Sequence, residues 1–215
     1  MQLISSEIEK YCIEKSSTPS AYLDELFSLT HKTQELPQML IGQMEASFLG
    51  FLIRSQGMNN ILEIGTFTGY SALCMAENLP INGKITTVDI NEKPVEEIAK
   101  PIWNKSPNGI KIKSFIMQGL DFLNQTDDKY DLVFIDADKK NYLKYVEFSL
   151  NTLSTNGIIL VDNALWSGDV INREKSDDST SGIRKLNDWA KNQENLYTTL
   201  LPIRDGLLLI KPISH

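Results

Sequence analysis

Two apolar runs in this chain end in oxygen-bearing side chains: Phe134-Ile135-Asp136-Ala137-Asp138-Lys139 and Ile159-Leu160-Val161-Asp162-Asn163. Runs this continuous suit parallel strands that are covered on both faces. In open α/β sheets, ligands bind beyond the carboxyl ends of such strands. Asp136, Asp162 and Asn163 are therefore expected at one end of a sheet, as an all-oxygen donor set. No His or Cys adjoins them, so the pattern favours a hard cation (Mg²⁺, Mn²⁺ or Ca²⁺) over zinc.

A second group lies upstream, in Ile61-Leu62-Glu63-Ile64-Gly65-Thr66-Phe67-Thr68-Gly69-Tyr70-Ser71, which reads as strand, tight turn and helix start. Gly65 and Gly69 allow the backbone to approach a ligand closely, but their spacing is not the G-x-G-x-x-G dinucleotide fingerprint. A nicotinamide enzyme is accordingly disfavoured. Glu63 is a carboxylate near the end of an apolar strand, where burial is expensive unless something bonds it. A cationic or hydrogen-bond-donating ligand would offset that cost. Asp89 closes the next strand, Thr86-Thr87-Val88-Asp89-Ile90, where a carboxylate can accept both hydroxyls of an adenosine ribose. Glu63 and Asp89 together suit a nucleoside that carries positive rather than phosphate charge.

The elements that must position these residues follow from periodicity. Ser6 with Glu9 fits a capping box, and Thr18-Pro19 fits an N-cap followed by proline at the first helical position. Leu23, Leu26, Phe27 and Thr30, then Met44, Ser47, Phe48, Phe51 and Leu52, form apolar stripes at helical spacing. These helices are expected to cover one end of a sheet. Strands are predicted at 61–65, 84–90, 110–118, 130–137 and 157–163, mostly with room for helices between them. Alternation of this kind gives a doubly wound parallel sheet with right-handed crossovers. The polar stretch 168–182 lacks apolar periodicity and reads as an exposed loop, after which Ile183, Leu186, Asn187 and Ala190 restore a helix. Segments 197–204 and 206–212, joined at Asp205-Gly206, predict a closing antiparallel hairpin.

At 215 residues the chain suits one well-buried core, a single domain over 1–215 with 1–56 as helical cover and 60–215 as the α/β core. A net charge of −7 without a dense Lys/Arg patch argues against a nucleic-acid partner. No apolar run reaches the roughly 18 to 20 residues of a membrane span, and the polar, acidic start does not read as a secretory signal. A cytoplasmic protein without a membrane partner is expected. Cys12 and Cys74, without CxxC spacing, read as reduced thiols.

Taken together, these residues resemble the cation-dependent class I S-adenosylmethionine O-methyltransferases, the family of caffeoyl-CoA and catechol O-methyltransferases, in a bacterial-type form. The resemblance rests on the glycine turn, on Met39-Leu40-Ile41, on Phe134-Ile135-Asp136-Ala137-Asp138-Lys139-Lys140-Asn141-Tyr142, on Val161-Asp162-Asn163-Ala164-Leu165-Trp166-Ser167-Gly168 and on Pro202-Ile203-Arg204-Asp205-Gly206-Leu207. It implies a Rossmann-like α/β fold, a doubly wound and mostly parallel seven-stranded sheet with a C-terminal antiparallel hairpin and an N-terminal helical extension. It also implies that Met39, Ile41, Glu63, Gly65, Thr66, Ser71, Asp89, Gly119 and Asp136 contact S-adenosylmethionine. Asp136, Asp162 and Asn163 would hold Mg²⁺ or a similar ion, and the remaining coordination positions would suit two neighbouring phenolic oxygens. Lys139 is implied as general base, and Asp138, Asn141 and Trp166 as substrate-lining residues. Ser167 stands where plant members carry an asparagine, and the N-terminal region has no obvious basic group for a coenzyme A phosphate. Both departures favour small catechols as substrates. The resemblance further implies a homodimer.

Simpler readings stand beside these. Lys139 and Lys140 also have a reading as solvated helix residues, the one preferred for Lys140 but not for Lys139; Trp166 has one as a packing aromatic, and Asp177-Asp178 reads as a solvated acidic pair. Two rival functions remain open: a metal-independent methyltransferase of another acceptor, and an S-adenosylmethionine-binding regulatory protein without catalysis.

Overall fold

The structure, a computed structural model, describes residues 4–213. His215 lies outside the described residues. The chain divides into two compact units, Ile4–Gln118 and the segment from 119 onward.

The first unit opens with α1 (Ser6–Glu14), α2 (Ala21–Thr33), a 3-10 turn (Pro37–Met39) and α3 (Gln43–Gln56). It continues with β1 (Asn60–Ile64), α4 (Tyr70–Asn78) and β2 (Lys84–Asp89). A helical stretch follows, made of α5 (Glu92–Pro94), a π turn (Val95–Ala99) and α6 (Lys100–Trp103), and then β3 (Ile112–Ile116). Strands β1, β2 and β3 pair in parallel, with Glu63 opposite Thr87 in the register.

Both predicted caps shift. The α1 cap is Ser5, whose hydroxyl accepts from the Ile8 amide at 3.3 Å. The α2 cap is Ser20, which accepts from the Leu23 amide at 3.2 Å, so Thr18-Pro19 belongs to the connection before the helix. A serine hydroxyl satisfies an orphan amide at either position, and the sequence offers several candidates within reach. On α2 the expected stripe is buried at Leu23, Leu26 and Thr30, while Phe27 is exposed. The α3 stripe is rotated. Its buried face is Glu45, Ala46, Leu49, Gly50 and Ile53, and Phe51 is 72% exposed. Apolar side chains occur on both faces of α3, so periodicity alone selected the wrong one.

The second unit contains α7 (Gly119–Gln125), β4 (Tyr130–Ile135), a 3-10 turn (Lys139–Asn141), α8 (Tyr142–Leu150) and β5 (Leu153–Val161). A second 3-10 segment (Trp166–Ile171) leads to α9 (Asp178–Lys191), β6 (Leu196–Leu201) and β7 (Leu207–Pro212). β4 pairs in parallel with β5, β5 antiparallel with β7, and β7 antiparallel with β6. The seven strands run in the order β3-β2-β1-β4-β5-β7-β6, the mostly parallel sheet with a C-terminal hairpin that the alternating pattern predicts. β5 starts four residues earlier than its apolar run. Residues 153–156 are half-buried or exposed, and Ser154 bonds Asp131 at 2.7 Å across the strand pair. Among the described residues no helix is long and apolar enough to cross a membrane.

The expected loop at 168–182 is shorter than its composition suggests. Asp177 caps α9, its Oδ1 accepting the Thr180 amide at 3.0 Å and its Oδ2 the Thr180 hydroxyl at 2.6 Å. The acidic pair is exposed, as expected, and also starts the helix, with Asp177 as its cap. These bonds hold the Asp177 carboxyl below its ordinary value of 3.8. A lowered folded-state value stabilises the protein above the unfolded value, and that stabilisation is lost as pH falls through the lowered one. The urea midpoint of the wild type should therefore exceed that of Asp177→Ala at pH 6, with the gap closing below pH 3.8. A gap independent of pH would show that the capping charge is not what matters.

Candidate functional site

In the first unit, the turn after β1 is built around two carboxylates. Asp89, at the end of β2, accepts the Thr66 amide at 2.9 Å and the Phe67 amide at 2.8 Å on Oδ2, and the Asn91 amide at 2.8 Å on Oδ1. These bonds fix a turn in which Gly65 and Phe67 have φ of 107° and 48°. Gly69 has φ of 79°, and a Cβ there would lie 2.3 Å from the Trp103 ring, so only glycine fits. Glu63 is fully buried on β1 and accepts from the Thr87 hydroxyl, which itself meets Thr66 Oγ1 at 2.6 Å. Ser71, in the first turn of α4, is buried, as is Ile41, whereas Met39 is exposed.

In the second unit, Ile135 and Val161 are register partners, so Asp136 and Asp162 follow at the ends of adjacent parallel strands. The Asp162 amide donates to Ile135 O at 3.0 Å and extends the ladder to the acids themselves. Asp162 is 1% exposed and accepts the Asn163 amide on Oδ1 at 2.5 Å. Asn163 has φ of 57°, a left-handed conformation that asparagine tolerates better than most residues. Lys139 reaches back from the 3-10 turn to Asp136, with Nζ to Oδ1 at 2.8 Å. Its ammonium also lies 5.2 Å from the Tyr142 ring centre and 5.6 Å from that of Trp166. Asp138 accepts from the Tyr145 hydroxyl at 2.6 Å and from Asn141 Nδ2 at 2.5 Å. Burial, and then the bond to Asp138, push the Tyr145 phenol well up, so it stays a donor.

The segment beyond Asn163 is held from two sides. The 204–206 turn binds it: Ala164 N donates to Gly206 O at 2.9 Å, Leu165 N to Asp205 O at 2.8 Å, and Ser167 N to the Asp205 carboxylate. Helix α9 supplies the other side. Asn187 Nδ2 donates to Ala164 O at 2.9 Å. The Arg184 guanidinium donates to the carbonyls of Asp169, Val170, Asn172 and Lys175, and so gathers the whole connection into one pocket of acceptors. Gly182 packs on the Lys139 backbone, where a Cβ would stand 2.5 Å from Lys139 O.

The O-methyltransferase family model matches residues 13–213. This chain belongs to the O-methyltransferase family. Caffeoyl-CoA O-methyltransferase 1 of Nicotiana tabacum is 33% identical over 226 residues, which span 99% of this chain and 94% of that protein. Probable caffeoyl-CoA O-methyltransferase 2 of Dictyostelium discoideum is 32% identical over 216 residues, 98% of this chain and 93% of that protein. Among solved structures, an O-methyltransferase from Bacillus cereus in complex with SAH is 26% identical with a TM-score of 0.87, covering 96% of this chain and 97% of that one.

Within this O-methyltransferase, the residues expected from sequence fall into two groups. Glu63, Gly65, Thr66, Ser71 and Asp89 gather around the first unit's turn. Asp136, Asp138, Lys139, Asn141, Asp162, Asn163 and Trp166 lie around the β4 and β5 ends, and Gly119 opens α7. Sequence reasoning assigned no site role to Thr87, Tyr145, Gly182, Arg184 or Asn187, which shape these groups through contacts between segments distant in sequence. A cavity of about 780 Å³ beside α3 and α4, lined by Tyr22, Phe51, Tyr70, Cys74 and Glu77 among others, contains none of the expected residues.

The Asp89 geometry separates a structural role from a binding one. Asp89→Ala removes the acceptor of three backbone amides and should cost about 2 kcal/mol of unfolding free energy in urea without any ligand present. A loss of ligand affinity at unchanged stability would contradict the role assigned to Asp89 in holding the turn.

Proposed function

We propose that this O-methyltransferase transfers the methyl group of S-adenosylmethionine to one hydroxyl of a vicinal dihydroxy phenolic, with Asp136, Asp162 and Asn163 holding a divalent cation, Mg²⁺ or else Mn²⁺ or Ca²⁺. The observation that carries this reading is the pair of carboxylates that directly follow the register partners Ile135 and Val161 at the β4 and β5 ends, the second followed by a left-handed Asn163. Two acids and an amide are the donors that hard cations prefer. Among the described residues no group of three His, Cys, Asp or Glu side chains is arranged to hold a metal; the proposed set takes the Asn163 amide oxygen as its third donor. The residues present fit such an ion in charge and donor type. The cation would supply Lewis acidity, which lowers the pKa of an acceptor hydroxyl.

The chain's own groups bind and orient the reactants. Asp89 Oδ1 retains acceptor capacity for a ribose hydroxyl beyond its bond to Asn91, and Gly65 and Thr66 lie on the turn that Asp89 holds. Glu63 supplies negative charge beneath that turn, suited to a cationic methyl donor. Ser71 is offered to the donor's carboxylate, Met39 and Ile41 to its apolar faces, Gly119 to its adenine and Asp136 to its methionine portion. Lys139, in its neutral amine form, is the group offered to receive the acceptor proton. Asp138, Asn141 and Trp166 line the acceptor side, with Trp166 also fixing the Lys139 ammonium over its ring. The names of the tobacco and Dictyostelium relatives give caffeoyl-CoA as substrate. A caffeoyl group carries two neighbouring phenolic hydroxyls, which supports the catechol part of the reading. Ser167, which stands where plant members carry an asparagine, favours a smaller acceptor here. We read residues 1–215 as one catalytic domain, cytoplasmic and homodimeric in solution.

With labelled S-adenosylmethionine, turnover of catechols should vanish in chelator and return with Mg²⁺ or Mn²⁺, while monophenols stay poor acceptors throughout. Asp162→Ala should lower kcat/KM roughly 10³-fold, the scale of several kcal/mol of charge stabilisation, and leave donor binding by calorimetry intact. Full activity of Asp162→Ala in chelator would remove the cation from the mechanism. Monophenols reacting as fast as catechols would remove the chelated diol.

A further inference from the structure

We propose that Asp205 is a positioning residue for the acceptor side, its carboxylate setting the path of residues 163–168 and thereby the aim of Asn163 and Trp166. The inference rests on the proposed role of Asn163 as a cation ligand. Four residues in this short segment have positive φ: Asn163 at 57°, Trp166 at 47°, Ser167 at 52° and Gly168 at 86°. Three of them carry side chains, and a left-handed run of that kind persists only where surrounding structure over-determines it. Trp166 and Ser167 are not residue types that favour this conformation.

The over-determining contacts come from one short turn. Asp205 bonds the segment twice, accepting the Leu165 amide on its carbonyl at 2.8 Å and the Ser167 amide on its carboxylate. Gly206 accepts the Ala164 amide at 2.9 Å and packs so close that a Cβ would meet Leu165 at 2.4 Å. The turn is itself left-handed at Arg204 and Gly206, with φ of 51° and 93°. Backbone groups make three of these four contacts and survive any side-chain change. The Asp205 carboxylate is the exception, and it acts on the amide in the middle of the strained stretch. Without it, Ser167 has less reason to stay left-handed, and relaxation there propagates to Trp166 one residue before and to Asn163 three before that. Asp205 touches neither reactant in this account.

The test uses the full-length protein as wild type, Asp205→Asn and Asp205→Ala. Four quantities are measured: Mn²⁺ affinity of the donor-free protein by electron paramagnetic resonance, catechol KM and kcat, S-adenosylmethionine affinity by calorimetry, and the urea midpoint. Asp205→Ala should weaken Mn²⁺ binding and raise catechol KM about tenfold, the scale seen when outer partners of metal ligands are lost. Its S-adenosylmethionine affinity should stay within about twofold of wild type, because the donor residues are held by other bonds. Asp205→Asn keeps an oxygen that accepts the same amide and should restore both Mn²⁺ affinity and catechol KM. If Asp205→Ala does not fold, Asp205→Glu decides, because its oxygen is displaced by one methylene and catechol KM must rise. Unchanged Mn²⁺ affinity and catechol KM in Asp205→Ala, in an active enzyme, overturn this inference alone. Equal losses of donor and acceptor binding would mark Asp205 as merely structural and overturn it too. A wild type that binds no Mn²⁺ overturns the proposed function and this inference together.

Discussion

Two carboxylates placed side by side at the ends of adjacent strands need positive charge, and much of the second unit is arranged around that need. Asp136 and Asp162 directly follow the register partners Ile135 and Val161, and the ladder runs on to Asp162. Lys139 supplies one positive charge, 2.8 Å from Asp136. Asp162 is the more deeply buried acid, with an oxygen turned toward the Asn163 amide. Two acids and one lysine give the proposed cation site a net negative formal charge. The apolar strands that lead to the acids are therefore part of the chemistry.

The remainder of the unit keeps that pair and its neighbours in place. Helix α9 uses three residues within six positions: Gly182 against the Lys139 backbone, Arg184 on four carbonyls of the preceding connection, and Asn187 on Ala164. A helix is stiff, so these contacts share one frame and Lys139 is registered against the segment after Asn163. Arg184 suits its task because a guanidinium offers five donors in a fixed fork, which a lysine does not. The first unit solves a different problem by the same means. There Asp89 gathers three amides, and a glycine lets the Trp103 ring close over the turn.

Strands whose burial is continuous were the most legible part of the sequence. Residues 132–135 and 159–161 are fully buried and were found as apolar runs. The hairpin was signalled by Asp205-Gly206, and the sheet class by alternation of strands and helices. The edges were less legible. Polar residues 154–156 belong to β5, where Ser154 bonds Asp131, a partner more than twenty residues away. The buried face of α3 was misread because its exposed face is apolar too, Phe51 included. Asp177 is a solvated acid as expected, but its capping role was not legible because a cap and a surface charge share the same residue types. Of the candidate site, the acids at strand ends were visible because carboxylates are conspicuous after apolar runs. Arg184, Gly182 and Asn187 were not, since on a helix an arginine, a glycine or an asparagine has many ordinary uses. Their roles depend on which chain segment lies opposite, and that is a property of the fold.

The claim on which the functional account stands is that a divalent cation binds between the Asp136, Asp162 and Asn163 side chains. Anomalous diffraction from crystals grown with Mn²⁺ addresses it directly. The account predicts one strong peak within coordination distance of both carboxylates and of the Asn163 amide oxygen. No peak there, with Lys139 still paired to Asp136 at saturating Mn²⁺, would contradict it.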